Sequence, residues 1–557
     1  MQITLKQISS LVKVRDKAAL DAKEILKATA LSGEEYSYQV VVSADVSVRA
    51  RVEMTSPIVE HVELYYVRKA VMDYPYYIGR EEDDDIFITK EPGLMPDILM
   101  PIENQNHCFH VADVPESLWV RVKTKDVAPG TYPITIRVAR EPHVIDQCNV
   151  TPSAEITFEL TVLAEKMPEQ RTKFTQWFHA DCIANVHNVE VYSEAHWALI
   201  DRYIACAADV GINMILTPVI TPPLDTSIGL RRRCVQLVKI TKTGDKYTFD
   251  FSRVRRFISL LDKNGIKYIE IMHLFSQWGL RSAPNILIEE DGKEDFLFGW
   301  DVSGQSEEYK NFLLQFVPAL VVFLKEEGVF ERCYFHISDE PNVESLARYE
   351  YGSELIKPML EGAPLMDALS HLEFYERGYT DMPICSVGRL GPFLEKKLEN
   401  QWTYYCCTMH KHTTNRFIAQ PSYRNRVIGL QMYKYNIMGF LHWGYNYYNE
   451  QGSRYPINPY MTTSSECAFP SGDAFSVYPD ENYGAIPSLR AIVFKEALQD
   501  IEICRTLEKY IGKDAVISFI ESEAGAPITL TDYPRSDDFI VDVIEKMKRK
   551  IAEFAAK

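Results

Sequence analysis

The segment RCYFHISDEP, residues 332–341, points most directly to the fold class of this chain. Residues 332–338 have an apolar centre and are few enough for a buried strand, and the segment continues into Asp339, Glu340 and Pro341. Proline cannot continue a β-ladder and disfavours helical geometry in the residue before it. The pattern predicts a buried strand that ends at two adjacent carboxylates, which is where the active-site acids of a β/α-barrel lie.

Six other segments, before and after this one in the chain, also have the pattern of buried strands. Amphipathic helical patterns such as EAHWALIDRYIACAADVG and EEYKNFLLQFVPALVVFLKEEGV lie between the segments. A repeated strand and helix indicates a parallel sheet, and seven strands with one missed favour a (β/α)8 TIM-type barrel over an open doubly wound sheet. The six segments are KFTQWFH (173–179), NMILTPV (213–219), KYIEIMH (267–273), PICSV (383–387), WTYYCCT (402–408) and MGFLHWG (438–444). The polar segment 285–304 is a candidate substrate loop.

The two ends of the chain have different patterns. Alternation with period two, as in YSYQVVVSADVSVRARVEM and AEITFELTVL, predicts antiparallel strands before the barrel. The last segment, DDFIVDVIEKMKRKIAEFAAK, has helical periodicity. We therefore predict an N-terminal β-sandwich over residues 1–165, the catalytic barrel over 166–510 and a helical C-terminal extension over 511–557.

Composition excludes several classes of protein. The chain has 557 residues and a formal net charge of −18, which disfavours nucleic acid and anionic membranes as partners. No apolar run reaches membrane-spanning length. Eleven scattered cysteines form no metal or redox motif, and the first residues lack the apolar core of a secretion signal. We expect a cytoplasmic protein.

The adjacent carboxylates Asp339 and Glu340 are the candidate catalytic residues. They can face one site only if the backbone turns between them, and acids so close perturb each other's protonation. A helix cap or an ion pair with a barrel arginine is the structural alternative. Glycosidases with two catalytic carboxylates normally take them from separate strands, so adjacent acids suggest a substrate-assisted reaction, in which a 2-acetamido group of the sugar attacks the anomeric carbon.

Aromatic and polar residues near the predicted strand ends are candidate sugar contacts, since sugars combine apolar C–H faces with hydroxyl edges. Histidines at these ends come from different strands and show no metal-binding spacing, so we predict no metal and no cofactor. The predicted substrate-binding residues are His179, His273, Trp278, Tyr405, His410, Trp443, Tyr445 and Asn446.

Several motifs together resemble glycoside hydrolase family 123 and its wider group of relatives. They are FHISDEP, WFHADCIA (177–184), ILTPVITPPLDT (215–226), GFLHWGYNYY (439–448), and GDAFSVYP (472–479) followed by SLR (488–490). The resemblance spans nearly the whole chain. It implies a β-N-acetylgalactosaminidase that uses a retaining, substrate-assisted mechanism and needs no cofactor.

The resemblance also assigns roles. It implies that Asp339 stabilises the acetamido group and that Glu340 is the general acid and then the base. Asp473 and Arg490 are motif members that could be structural. Two alternatives stay open: a conventional two-carboxylate β-glycosidase acting on neutral sugars, with Asp301 or Glu270 as the second acid, and a non-catalytic carbohydrate-binding protein. In each case the expected partner is an oligosaccharide or glycoconjugate.

Overall fold

A computed structural model of the chain describes residues 2–77, 86–103, 108–112, 114–141 and 152–556. Contacts between Cα atoms divide the chain into two compact units. The first comprises residues 1–171, 411–434 and 486–557, and the second comprises residues 172–410 and 435–485. The predicted fold class is confirmed: β-sheets come first, a mostly parallel eight-stranded barrel follows, and helices end the chain.

The first unit contains two five-stranded sheets that share one apolar core. Alternate residues of each strand face this core, as Tyr38 and Val40 do from one sheet and Ile134 and Ile136 do from the other. One sheet contains, in order, β1 (Ile3–Ser9), β3 (Glu35–Ala44), β8 (Glu116–Lys123), β5 (Val62–Met72) and β6 (Gly93–Pro101). The other contains β2 (Lys27–Ser32), β10 (Ser153–Lys166), β9 (Gly130–Arg140), β4 (Val48–Thr55) and β7 (Cys108–Val111).

Helices from the later part of the chain belong to the same unit. The central helix, α10, packs against the four others. Its N-terminus is capped by Ser488, whose side chain accepts from the Ala491 N–H. The helices are α8 (Ser422–Arg426), α9 (Ile428–Lys434), α10 (Leu489–Ile511), α11 (Lys513–Ala524) and α12 (Asp537–Ala555).

The second unit is built on the eight-stranded parallel barrel. Neighbours in the barrel follow chain order, and a parallel bridge between Phe335 and Leu365 joins the two strands that end the hydrogen-bonded series. The strands are β11 (Lys173–Gln176), β12 (Met214–Thr217), β15 (Tyr268–Ile271), β18 (Cys333–Phe335), β19 (Met366–Ala368), β20 (Met382–Ser386), β21 (Trp402–Tyr404) and β22 (Gly439–His442).

Helices alternate with these strands, as the sequence predicts. Serine side chains cap the two long helices: Ser193 accepts from the His196 N–H, and Ser306 accepts from the Tyr309 N–H. The helices of this unit are α1 (Ala180–Val186), α2 (Glu194–Asp209), α3 (Ser252–Lys263), α4 (Glu307–Glu326), α5 (Leu346–Ile356), α6 (Glu373–Glu376) and α7 (Gly391–Lys396).

One feature completes the predicted barrel, and another differs from the sequence-based expectation. The strand missing from the prediction is β19, whose three residues are too few for a recognisable period. The candidate substrate loop at 285–304 is largely a hairpin, β16 (Ile286–Glu290) with β17 (Lys293–Phe298), which extends β13 (Lys239–Thr243) and β14 (Lys246–Asp250) into a four-stranded sheet. The remaining pair is β23 (Val477–Asp480) with β24 (Gly484–Pro487).

The predicted domain boundaries stay a prediction. Among the described residues, no helix is both long enough and apolar enough to cross a membrane.

Candidate active site

The two adjacent carboxylates lie where the chain leaves strand β18. The backbone turns sharply at Glu340, which has a left-handed φ of +44°, so that Asp339 is buried and Glu340 is exposed. Such a conformation persists in a residue other than glycine only where its surroundings hold it. Here the Glu340 N–H donates to the Ala368 carbonyl oxygen at 3.0 Å, and the Asp339 carbonyl oxygen accepts from the Trp278 N–H at 2.8 Å. The turn that the sequence requires between the acids is present.

A second strained segment lies beside the pair. Trp278, Gly279 and Leu280 all have positive φ, at +59°, +107° and +59°. A Cβ at Gly279 would lie 2.4 Å from the Ser345 Cβ, so only glycine fits there. This tight loop holds Trp278 with 49% of its surface exposed, next to Asp339.

Both acids line one cavity of about 620 Å³ at this end of the barrel. This volume lies in the range typical of small-molecule sites. Five aromatic side chains contribute to its lining: Trp177, Trp278, Tyr404, Trp443 and Phe469. A third carboxylate, Asp225, also lines it. Aromatic faces beside carboxylates suit a sugar, which offers both C–H faces and hydroxyl groups.

Asp339 is the buried member of the pair. Burial raises the pKa of its carboxyl well above the usual value, and the neighbouring charge of Glu340 raises that pKa further. Gln277 opposes this effect by donating its amide to Asp339 Oδ2 at 3.2 Å. A raised pKa favours the protonated carboxyl while the cavity is empty, and a positive charge beside Asp339 would favour its carboxylate.

Glu340 is held by a tyrosine from the neighbouring part of the barrel. The Tyr404 hydroxyl, at the end of strand β21, donates to Glu340 Oε1 at 2.5 Å. Tyr404 is buried, whereas the Glu340 carboxyl is accessible from the cavity. The tyrosine therefore fixes the direction of a carboxyl group that substrate and water can reach.

A fully buried network of charges supports the strand that carries the pair. His336 contacts Glu270 Oε1 through Nε2 at 2.8 Å and Asp367 Oδ1 through Nδ1 at 3.0 Å. Burial by itself lowers the pKa of His336, but hydrogen bonds to the two carboxylates outweigh it and raise that pKa to about 9. His336 is therefore an imidazolium that links two strands of the barrel.

Asp367 also determines where strand β18 stops. Its carboxylate accepts from the backbone N–H groups of Ile337 and Ser338 at 3.2 and 3.3 Å, and from the Tyr349 hydroxyl at 2.5 Å. These N–H groups bond to a side chain instead of a neighbouring strand, so the chain leaves the sheet before it reaches Asp339. The predicted strand extended to residue 338, and the structure ends it at Phe335 for this reason.

One group of buried side chains has metal-ligand character. Atoms of His273, His336 and Asp367 lie within 4.8 Å of one another. His336 already uses both ring nitrogens on carboxylates, and its positive charge disfavours a metal ion beside it. The His273 ring stacks on His336 at a centroid distance of 4.3 Å, and neither of its nitrogens has a hydrogen-bond partner among the described residues. Burial and the His336 charge lower the pKa of His273 well below its usual value.

Four of the residues predicted from the sequence line the cavity: Asp339, Glu340, Trp278 and Trp443. Trp443 donates its indole N–H to Asp473 Oδ2 at 2.9 Å. Asp473 thus holds a cavity tryptophan. Arg490 lies elsewhere, in a buried ion pair with Asp97 in the first unit.

The other six predicted substrate-binding residues lie outside the cavity lining. His179 and Asn446 bind each other's loops, because the Asn446 amide both accepts from and donates to the His179 backbone at 2.9 and 3.0 Å. The His179 ring accepts from Arg232 at 2.9 Å, and burial together with the Arg232 charge lowers its pKa to about 3. These contacts give His179 and Asn446 a structural role.

Tyr405, Tyr445, His273 and His410 are buried side chains of the barrel. The Tyr405 ring packs against Phe440 at a centroid distance of 4.8 Å, and the Tyr445 hydroxyl donates to the Tyr203 carbonyl oxygen at 2.8 Å. Neighbouring residues of a strand face opposite sides, so only one tyrosine of the WTYY motif can face the cavity. That residue is Tyr404 and not Tyr405.

Tyr404, Gln277 and Asp225 are among the cavity residues that were not predicted from the sequence. Tyr404 and Gln277 belong to segments noted for their aromatic residues, WTYY and HLFSQWG, but sequence does not reveal which neighbour faces inward. The predicted alternative acids are placed elsewhere. Glu270 is buried and bonded to Trp177 and His336, and Asp301 is exposed outside the cavity lining.

Comparison with known families matches the same part of the chain. The sequence model described as "Glycoside hydrolase 123, catalytic domain" matches residues 177–507, which is more than half of the chain. The chain belongs to glycoside hydrolase family 123. Its activity class is therefore glycoside hydrolysis, and a glycan or glycoconjugate is its class of substrate. A comparison with curated proteins gives no match.

A solved structure agrees with this family 123 fold. A family 123 glycoside hydrolase from Clostridium perfringens, described for its hydrolysis of glycolipid glycans, matches 100% of this chain and 99% of its own chain, with a TM-score of 0.73 and 16% identity. A β-D-glucuronidase from Dictyoglomus thermophilum matches 83% of this chain and 66% of its own, with a TM-score of 0.32 and 10% identity. The second match is too weak to support an argument.

Proposed function

We propose that this family 123 member removes terminal β-linked N-acetylgalactosamine from a glycan or glycoconjugate, by a retaining mechanism in which the substrate's acetamido group is the nucleophile. The observation that carries the proposal is the turn at Glu340. It brings a buried carboxyl and an accessible carboxyl from adjacent residues to the same cavity. Acids that serve as nucleophile and proton donor in the conventional scheme flank the scissile bond and usually come from separate strands.

The two acids differ in the way this reaction needs. Asp339 is buried, so little water competes with the acetamido N–H for its carboxyl oxygens. As the acetamido oxygen bonds to the anomeric carbon, positive charge develops on the amide, and the Asp339 carboxylate stabilises it. Gln277 holds one Asp339 oxygen at 3.2 Å.

Glu340 acts on the leaving group. It gives its proton to the glycosidic oxygen as the bond to the anomeric carbon breaks, and it then takes a proton from the water that opens the oxazoline-type intermediate. Two inversions at the anomeric carbon give net retention. The exposed position of Glu340 in the cavity suits contact with both leaving group and water.

Asp225 is the specific reason to keep a conventional two-carboxylate glycosidase as the second candidate, because it lines the same cavity. Its carboxylate accepts from the Gly452 N–H at 3.2 Å, and burial raises its pKa. In the conventional two-carboxylate mechanism, Asp225 would be the nucleophile and the acetamido group would be unnecessary. The non-catalytic alternative is set aside, because the chain belongs to a hydrolase family and has both carboxylates.

One experiment separates these candidates. Nitrophenol release is measured from the aryl β-N-acetylgalactosaminide, its gluco epimer and the plain β-galactoside, with wild type, Asp339→Asn and the matched control Asp225→Asn. We expect cleavage of N-acetylated substrates only, with the galacto epimer preferred, and a loss in kcat of about 100-fold or more in Asp339→Asn. Asp225→Asn should retain most of its kcat.

Cleavage of the plain galactoside at a similar rate, or inactivation by Asp225→Asn alone, contradicts the proposal and supports the second candidate. Preference for the gluco epimer changes the sugar and leaves the mechanism intact. Product stereochemistry, followed by proton NMR during hydrolysis, gives an independent check, since the proposal requires the β-anomer to appear first.

A further inference from the structure

Three sulfur atoms come together on a tight turn directly after strand β21. The turn has the sequence Cys406, Cys407, Thr408, Met409, and the Met409 N–H closes it by donating to the Cys406 carbonyl oxygen at 3.0 Å. The closure places Cys406 Sγ 3.6 Å from Met409 Sδ. The side chains of Cys406 and Cys407 are also hydrogen-bonded to each other.

Met409 is oriented with its sulfur toward this group. Its Sδ accepts from the Cys406 N–H at 3.3 Å and from the Thr408 hydroxyl at 3.3 Å, in addition to its contact with the Cys406 thiol. A thioether is a weak hydrogen-bond acceptor, whereas it is a good ligand for soft metal ions. The turn thus places a thioether sulfur beside two thiols.

The sulfur group is accessible. Cys406 and Cys407 line the active-site cavity, and both are only half-buried. Glu340 lines the same cavity, so a carboxyl group accompanies the two thiols there. An ion that enters the cavity can therefore reach the sulfur atoms.

The spacing fits metal coordination by sulfur. A metal–sulfur bond of about 2.3 Å places two ligands of a three-coordinate ion about 4.0 Å apart. The distance of 3.6 Å between Cys406 Sγ and Met409 Sδ is close to this value. Structural zinc takes four protein ligands, whereas two thiolates and a thioether match the low coordination number of soft monovalent ions.

We propose that Cys406, Cys407 and Met409 form a binding site for a soft monovalent metal ion of the Cu(I) and Ag(I) class in the wall of the active-site cavity. Each thiol releases its proton to solvent as a metal–sulfur bond forms, Met409 contributes a lone pair, and no electron is transferred. The bound ion lies beside the strand end that carries Tyr404, which holds Glu340. Occupancy therefore inhibits the enzyme.

Binding is tested with Ag(I), which is redox-inert, as its nitrate salt. Reduced protein is freed of added thiol in a chloride-free buffer and titrated by calorimetry, and the one-equivalent complex is studied by silver X-ray absorption. We expect the tightest site to show three sulfur neighbours in wild type and two in Met409→Leu. We also expect its affinity to fall about tenfold or more in Met409→Leu and further in Cys407→Ser.

Matched controls remove sulfur elsewhere. Met461→Leu changes an exposed methionine, and Cys467→Ser changes an exposed single cysteine, so neither should alter the tightest site. Circular dichroism and the thermal midpoint show whether each variant is folded. An affinity that is unchanged in Met409→Leu and Cys407→Ser, or that is lost in Cys467→Ser instead, overturns the proposal.

The inhibition measurement rests on the proposed function, so it is interpreted separately from the binding measurements. Each variant's rate with one equivalent of Ag(I) is compared with its own metal-free rate. We expect wild type to lose most of its activity and Met409→Leu to need at least several-fold more Ag(I). Three-sulfur binding without any inhibition would contradict the inhibitory role. An inactive metal-free enzyme would contradict the proposed function, while the absorption data still decide the metal site.

Discussion

Replacing Asp367 by asparagine should destabilise the protein in a way that depends on pH. Asp367 and Glu270 together keep His336 protonated inside the barrel, with a pKa of about 9. Removing one partner of a buried charge pair typically costs about 3–5 kcal/mol, because the other charge stays buried. The asparagine side chain would still accept backbone hydrogen bonds, so the loss comes mainly from the charge.

The pH dependence follows from the difference between the folded and unfolded pKa of His336. Below about pH 6.5, the unfolded value, His336 is charged in both states and the carboxylates stabilise the folded one fully. That contribution disappears as the pH rises through the folded pKa of about 9. A difference of about 2.5 pKa units corresponds to about 3 kcal/mol. Because Glu270 keeps part of this shift in the variant, the cost of Asp367→Asn should fall from about 4 kcal/mol at pH 6 to about 2–3 kcal/mol at pH 10.

The assay compares wild type and Asp367→Asn by denaturant midpoints at pH 6 and pH 10, with tryptophan fluorescence as the probe. Taking the difference between the two proteins cancels the titration of groups that both share. Asp262→Asn is the control, since Asp262 is half-exposed and pairs with Arg332 at the surface, and it should have little effect at either pH. A large Asp367→Asn cost that does not change between pH 6 and pH 10 would refute a charged His336.

Three further changes test other parts of the structure. Tyr404→Phe removes the hydroxyl that donates to Glu340 at 2.5 Å, and should lower kcat about tenfold or more on substrates with poor leaving groups while KM changes little. Gly279→Ala places a Cβ 2.4 Å from a neighbouring Cβ at a φ of +107°, and should weaken substrate binding, seen as a raised KM. Arg490→Met removes the guanidinium that pairs with buried Asp97, and should lower the free energy of unfolding by about 3–5 kcal/mol, seen as a lower thermal midpoint.

Much of the barrel could be predicted from local pattern. Buried parallel strands are short apolar runs, and seven of the eight were recognised in the right order because amphipathic helices separate them. The strand that escaped, Met366–Ala368, has only three residues, and its identity depends on its neighbours in the barrel.

The catalytic pair was predicted because its signal is contiguous. Asp339 and Glu340 follow a strand directly and precede a proline, so residues adjacent in sequence also form the site. The remaining cavity residues come from distant segments. Whether Tyr404 or Tyr405 faces inward depends on where strand β21 begins in the barrel, which no local pattern specifies.

What the sequence by itself determined is the order of sandwich and barrel, the position of the acidic pair and the need for a turn between the two acids. These follow from periodicity and backbone sterics. Only the tertiary structure decided that Asp367 ends strand β18 and, with Glu270, keeps His336 charged. These residues are far apart in the chain, and their effect depends on exclusion of water, which raises the strength of every charge interaction among them.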